Sequence, residues 1–428
     1  MPKGTRNELI AALQQEAQWT NGDLAREVNR LGTLHGLALR YDRTAVAHWL
    51  TGSRPRPPVP DLVADVLTRR LGRLVTVEQT GLAAATHLVP HPLGSHSHPA
   101  VLLAEHAAAD TAPGRRSAAA LPVFAAGEIS AELAEPVWLP SAPVSTDRSA
   151  TALRLEHVGS FFFEHIQRYG ALSVRSSLAY YIADEVPRIL VAPGAPAERP
   201  DVLTALARLS HVQAAVAADS GHPGLAQRYY QQSLRLSRRA GARTDHAITL
   251  RALATLAGSI GDDRLALGLT SRALDIAGPS ATPVTLSFLL SGRAVVLARV
   301  GARSDALEAL AAARRWNQES DVGGSPFETY AGASLHYQEG QMLKALGAVS
   351  EQREALLISL RSRPVEHRRA LALTHSQIAL GLLLAGGWDQ AVPHARQAFA
   401  GARVVSSQAV EVSVGELRRM MTAFARRA

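Results

Sequence analysis

Glycines at 221, 261 and 301 recur every 40 residues, and this spacing limits what the chain can fold into more than any other feature. An alanine stands five residues after each glycine (Ala226, Ala266, Ala306) and another seven before it (Ala214, Ala254, Ala294). Two antiparallel helices pack closely only where a small residue on each lets the backbones approach. A glycine then frees the chain to turn between them. Ala379, Gly386 and Ala391 repeat the pattern. A further unit near Gly340 and Gly347 departs from it, with Gln352 where alanine is expected, and this predicts a shifted second helix. Four or five such units bury one another's faces in one continuous core.

The chain of 428 residues divides into three zones. Residues 1–75 hold short amphipathic segments and read as a small helical domain. Leu9, Ile10 and Leu13 share one face of the first, and Thr20 is the N-cap of a second through Leu24, Ala25 and Val28. Asp42 caps a third that Gly52 ends, and Pro60 and Asp61 open a fourth stopped by Gly72. Residues 76–150 lose all periodicity and are rich in Pro, Ala and His, as a partly disordered linker is, although "AAALPVFAA" is apolar enough to dock locally. Residues 151–428 read as helical throughout: capping helices over 151–200, with Phe161, Phe162, Phe163, Tyr180 and Tyr181 as their core, then four to five repeats over 201–428. The adjacent Asp184 and Glu185 point about 100° apart on a helix and read as a solvated face.

Charge and motifs exclude several classes of function. The net charge of +8 fits a nucleic-acid partner without requiring one. Lys3 and Lys344 are the only lysines, so arginine position carries more information than arginine number. No cysteine is present, which removes disulfides, thiolate zinc sites and cysteine nucleophiles, and fits a reducing cytoplasm. His87, His91, His96, His98 and His106 follow no ordered metal spacing, so no metal and no cofactor are expected. Neither lysine follows the glycines of a P-loop, and no H-E-x-x-H, G-x-S-x-G or G-x-G-x-x-G stands in a fitting context. The chain does not read as an enzyme. It lacks an apolar leader and an apolar run near 18 residues, so no membrane partner is expected and the place is cytoplasmic, at the nucleoid.

The stretch "YDRTAVAHWLTGSRPRPP" at 41–58 sets a short helix against arginines alternating with prolines. Val46 and Trp49 turn inward for packing, which leaves Arg43, Thr44 and His48 outward. Arginine grips guanine O6 and N7 in a bidentate manner, and threonine offers a hydroxyl and a methyl. Arg54 and Arg56, held extended by prolines, are placed to lie along phosphates.

"RTAVAHWLTGSRP" resembles the recognition half of the lambda-repressor-like (XRE-type) helix-turn-helix. That resemblance implies base contacts from Arg43, Thr44 and His48 and phosphate contacts from Thr20 and Asn21. About ten extra residues in "NRLGTLHGLALR" separate the second and third helices, where that family has a tight turn. The glycine and alanine spacing resembles tetratricopeptide repeats. With "YYIADEVPRIL" and "SGHPGLAQRYYQQSLRLSRRAG", the chain is similar to actinobacterial, Streptomyces-type regulators that join the two modules.

The expected fold is therefore all-α: a helix-turn-helix domain linked to a tetratricopeptide-type α-solenoid. The resemblance implies a dimeric regulator that binds double-stranded DNA, in control of differentiation or secondary metabolism. Its array would take a signalling peptide, small molecule or protein partner. First helices of the repeats project His211, Arg251, Arg299, Tyr337, Gln341 and Lys344, which would hold a peptide backbone or carboxylate or else tie adjacent helices. The rival reading is a protein-interaction scaffold without a specific DNA target.

Overall fold

Side-chain caps set the first helices. Asn7 Oδ1 accepts from the Ile10 amide at 3.3 Å to open α1 (Glu8–Ala17), and Thr20 opens α2 (Asn21–Leu34). Asp42 Oδ1 accepts from the amides of Thr44 and Ala45, at 3.0 and 2.9 Å, to open α3 (Arg43–Leu50). With α4 (Val59–Leu71) these helices close over Ile10, Leu24, Val28, Leu31, Val46, Trp49, Leu62 and Leu67. Leu9 stays exposed.

The computed structural model describes residues 6–34, 37–71, 75, 77–82, 98–111, 124–134, 148–194, 196–278, 281–318 and 332–425. Among these the fold is all-helical, with 19 α-helices and no strand. Gly72 and the histidines at 87, 91 and 96 lie outside the described residues.

The array is a run of helix pairs: α9/α10 (Pro200–Asp219, Pro223–Ala240), α11/α12 (Arg243–Ser259, Asp263–Ala277) and α13/α14 (Pro283–Arg299, Arg303–Gln318). Then come α15/α16 (Gly332–Ala345, Val349–Arg361), α17/α18 (Arg368–Leu384, Trp388–Ala402) and a final α19 (Gln408–Ala425). The alanines named from the sequence are where the partners meet. Ala214, Ala226, Ala266, Ala294, Ala306, Ala379 and Ala391 have no exposed area, and Ala254 has 1%. Gly221, Gly261, Gly301, Gly347 and Gly386 turn each pair with φ between 74° and 83°, a region that favours glycine. The Gly340–Gly347 unit keeps this register: α16 starts two residues after Gly347 as its counterparts do, so the expected shift of its second helix does not occur.

The span read as a linker contains two helices, α5 (Pro99–Thr111) and α6 (Ala126–Ala134). Helix α5 packs on α8 (Arg175–Val191) and places Ala100, Leu103 and Ala107 in the same core as Leu178, Ile182 and Val186. Asp110, with a side chain only 2% exposed, is ion-paired with Arg175 at 2.5 Å. Phe124 and Ile129 are buried in this core too. The reading failed here because α5 is apolar on nearly every side, so it shows no helical period. Its burial comes from a partner about 75 residues away in the chain.

Helix α7 (Ala150–Tyr169) runs beside α9 and begins the array proper. Phe162, Phe163 and Tyr181 pack against the core as expected, whereas Phe161 and Tyr180 are 60% and 67% exposed. Glu185 is not solvated: it is largely buried and paired with Arg154.

The last repeat returns to the first. Ser406 donates its amide to Tyr169 O at 2.7 Å, and Ser406 O accepts from the Leu172 amide at 3.1 Å. Gly170 makes this crossing possible, because a Cβ there would stand 2.3 Å from Ser406 O. Below it, Arg369 Nε and Nη2 donate to Asp219 Oδ1 at 3.0 and 2.7 Å, and Ser407 Oγ donates to the same oxygen at 2.7 Å. The array is a closed circuit.

The head rests on this circuit through α4. Arg69 and Asp65 form a 2.7 Å ion pair whose side chains are 12% and 3% exposed. Arg69 Nη1 also donates to Ile260 O at 2.7 Å, at the C-terminal cap of α11. Asp65 Oδ1 lies 3.5 Å from the amide of Ala126, at the N-terminus of α6. Each charge faces the helix end of opposite polarity. Burial raises the Asp65 pKa, against the pull of Arg69.

Because α5 belongs to the array core, Leu103→Ala should lower the stability of the array by about 2–5 kcal/mol, read by urea denaturation. A change within a few tenths of that of a surface substitution would show that α5 is dispensable.

Candidate nucleic-acid interface and the wall of the array

Helix α3 presents two unlike faces. Val46 and Trp49 are 0% and 3% exposed, and Trp49 meets Tyr41 edge-on with ring centroids 5.1 Å apart. Arg43, Thr44 and His48 are exposed on the other side. The extra residues before α3 lie back along α2. Asn29 Nδ2 donates to Tyr41 O at 2.7 Å, while Asn29 Oδ1 accepts from the Tyr41 amide at 2.9 Å. This two-point clamp anchors the chain next to Asp42, and the Asp42 cap then fixes where α3 starts. After α3 the chain turns at Gly52, and Ser53 donates its amide to His48 O at 2.9 Å. Arg54 and Arg56 follow, exposed. With Arg40 and Arg43 they make four exposed arginines around one helix, none with an ion pair among the described residues. Sequence reasoning missed Arg40, whose approach to α3 depends on the Asn29 clamp.

The two α2 residues stand differently. Thr20 Oγ1 donates to Asp23 Oδ2 at 2.6 Å, and Asp23 accepts the Thr20 amide at 2.8 Å. These bonds from the Thr20 hydroxyl and amide hold the Asp23 carboxyl below its usual range, with Arg26 adding to the effect. The Thr20 hydroxyl is thus committed to the helix cap, beside a carboxylate that repels phosphate. Asn21 Oδ1 accepts from Gln14 Nε2 at 3.2 Å and ties α2 to α1. Both residues have structural duties, and the Thr20 hydroxyl is used up by its own, while Asn21 Nδ2 makes no hydrogen bond among the described residues.

Five of the six wall residues engage neighbouring helices. His211 Nδ1 on α9 lies 3.0 Å from Thr249 Oγ1 on α11, with its ring edge-on to Tyr230. The Arg251 guanidinium on α11 stacks 4.1 Å from the ring centroid of Phe288 on α13. Arg299 on α13 reaches back to Asp263 at 2.9 Å and donates to Gly258 O. Gln377 on α17 donates to Tyr337 OH at 3.0 Å and accepts from Gln341 Nε2 at 2.5 Å, both on α15. Lys344 is exposed and makes no hydrogen bond or ion pair among the described residues. The polar wall is chiefly a ladder between successive first helices.

Burial tunes this ladder. Desolvation, with Arg251 next to it, drives the His211 imidazole down to about 3, so it is neutral at pH 7. His246, 4% exposed, is likewise lowered to about 3, first by burial and then by Arg238. Burial raises the Tyr337 phenol. No group of three or more metal-ligating side chains occurs among the described residues, and no helix there is long and apolar enough to cross a membrane.

Residues 10–83 match the family model described as the SP15 N-terminal domain, a span that covers nearly all of the head and ends just past its last core residue, Leu82. No XRE-type or tetratricopeptide family model matches the chain. No curated protein matches it.

The histidines set a pH dependence whose sign is fixed. Below the ordinary value near 6.5, the unfolded chain takes up a proton at His246 that the folded chain refuses until about pH 3. Stability therefore falls as pH drops from about 6.5 toward 3, and it is flat in this group above 6.5. Urea titrations at several pH values should show this slope. His246→Asn should reduce it by up to about 1.4 kcal/mol per pH unit, and an unchanged slope would show that His246 protonates freely in the fold.

Proposed function

We propose that the protein is a sequence-specific DNA-binding transcription regulator, with α2 and α3 acting as an XRE-like helix-turn-helix and the closed array as its dimerisation and sensing module. One observation carries the reading. A helix of only eight residues buries Val46 and Trp49 and turns Arg43, Thr44 and His48 outward, amid arginines with no ion pair among the described residues. An exposed arginine beside an acidic residue is ordinary, but four exposed and unpaired around one helix make a surface suited to a polyanion. The N-terminal residues of a recognition helix meet base edges in the major groove. Arg43 and Thr44 occupy those positions, with His48 one turn on.

Flanking arginines do a different task. Phosphate contacts set orientation and affinity, and base contacts discriminate. Arg54 and Arg56 fit the first role, with Arg40 joining them from the opposite end of α3. Thr20 drops out of the proposed phosphate contacts because its hydroxyl serves the α2 cap, whereas Asn21 spends only its Oδ1 on the α1–α2 junction and keeps its Nδ2 donors for a phosphate. The array resembles a tetratricopeptide solenoid in its pairing and turn geometry, which supports a role in holding a partner or a second copy.

Mapping bound sites across the genome and footprinting them would supply the operator. A bidentate arginine–guanine pair discriminates by about 1–3 kcal/mol. Arg43→Ala should therefore lose roughly that much affinity for the operator and much less for random duplex. Arg54→Ala should weaken both alike and reduce the salt slope by about one. Equal loss of specific and random binding in Arg43→Ala would remove α3 as the reading helix. Absence of any DNA binding by the folded protein would leave the scaffold reading instead.

A further inference from the structure

Helix α19 is the last helix among the described residues, and its two sides differ. On the inner side Val410, Val414 and Leu417 are buried, and Met421 and Phe424 lie against the same core. On the outer side Glu411, Val412, Arg418, Arg419 and Thr422 are exposed, Val412 at 57%, with Gly415 in their midst. At 3.6 residues per turn these positions all fall within about 60° of Gly415, so they make one face.

Glycine is among the poorest residues for a helix interior. Packing within the chain accounts for it at 292, 340 and 401, where a Cβ would meet a neighbour at 2.5 to 2.7 Å. At 415 a Cβ would have no neighbour within 4 Å, so the close approach that Gly415 permits is open to something outside the chain. Charge says what fits there. Glu411 and Glu416 precede Arg418 and Arg419 along the helix, all four are exposed, and none has an ion pair among the described residues. An antiparallel helix of the same sequence sets acid against base at both ends of the contact, and a parallel one sets like against like. Gly268 on α12 is equally open, but Arg264 and Arg272 flank it four residues to either side, so two copies meeting there would oppose arginine to arginine. Beside Arg418 an open groove of about 480 Å³, lined by Phe399, Ala402, Val414 and Met421, adds apolar surface to the α19 face.

We propose that α19 is the face through which two copies of this chain associate, antiparallel and crossing at Gly415, with Glu411 of each copy against Arg418 and Arg419 of the other. This gives the dimerisation proposed for the array its surface, and rests on that reading. It does not depend on whether α3 binds DNA.

Sedimentation of the full-length protein over a range of concentrations reads the association directly. A dimer is expected, and it should weaken as salt is raised. Glu411→Arg sets like charges together at both ends of the contact and should raise the dimer Kd about tenfold or more. Adding Arg418→Glu and Arg419→Glu to that variant reverses the partners as well and should recover most of the affinity, a rescue that damage to the fold would not give. Gly415→Leu has room in the folded chain and should dissociate the dimer by blocking the crossing. Since the chain has no cysteine, one introduced thiol reports only on its own surroundings. A short bismaleimide should join Gly415→Cys to its copy and leave Gly268→Cys unjoined. A monomer at every concentration would overturn both this face and dimerisation by the array. A dimer indifferent to Glu411→Arg and Gly415→Leu, or joined as readily through Gly268→Cys as through Gly415→Cys, would leave dimerisation standing and overturn the α19 face. So would a triple variant that stays as weak as Glu411→Arg alone.

Discussion

Everything in the array depends on how near two helix backbones can come. Alanines at the crossing points bring each pair together, and the left-handed glycine after each first helix sends the chain back at a fixed angle. With the approach set in every pair, the first helices fall into sequence and leave polar side chains facing the next helix. His211, Arg251, Arg299 and Gln341 are then close enough to stitch neighbours together. A larger residue at any crossing would widen one pair and detune these contacts downstream. The repeat with Gln352 avoids this by moving its crossing to Gly340 and Leu356.

The head and the array are mechanically one body at α4. A buried ion pair is a weak source of net stability, since desolvation offsets much of the attraction. It is strict about geometry, however. Asp65 and Arg69 each spend a second contact on a helix end of the array, so α4 sits correctly only when α6 and α11 are in place. Helix α11 belongs to the same ladder as the polar wall. A shift between repeats thus has a short physical path to α4, which packs on α1 and α2, the two helices that hold α3.

Much of this was readable in the residues because it is local. Caps at Thr20 and Asp42 act within three residues, Val46 and Trp49 follow helical spacing, and the glycine–alanine interval records each pair. What escaped was whatever required a distant partner. Helix α5 has no polar side to mark its face, and only α8 and the Asp110–Arg175 pair explain its place. Thr20 reads equally well as a phosphate donor or a cap, and Asp23, three residues on, decides between them. The wall residues were placed on the right helices. Their side chains are taken up by Thr249, Phe288, Gly258 and Gln377, which no spacing rule names. Gln352 was legible as an exception, although its register was misjudged: the sequence showed the missing alanine, while the compensation by Gly340 needs the packed pair.

Closure of the circuit alters how the array resists disturbance. An open stack of repeats has two free ends, where one neighbour is missing and fraying begins, so natural arrays need special end units. Here the Ser406–Tyr169 crossing and the Arg369–Asp219–Ser407 cluster give the last repeat a neighbour. Topologically the stack behaves as a loop rather than a line. Strain introduced at any joint can relax only by being shared in both directions around the loop. It reaches the α11 joint, on which the head rests, by two routes at once.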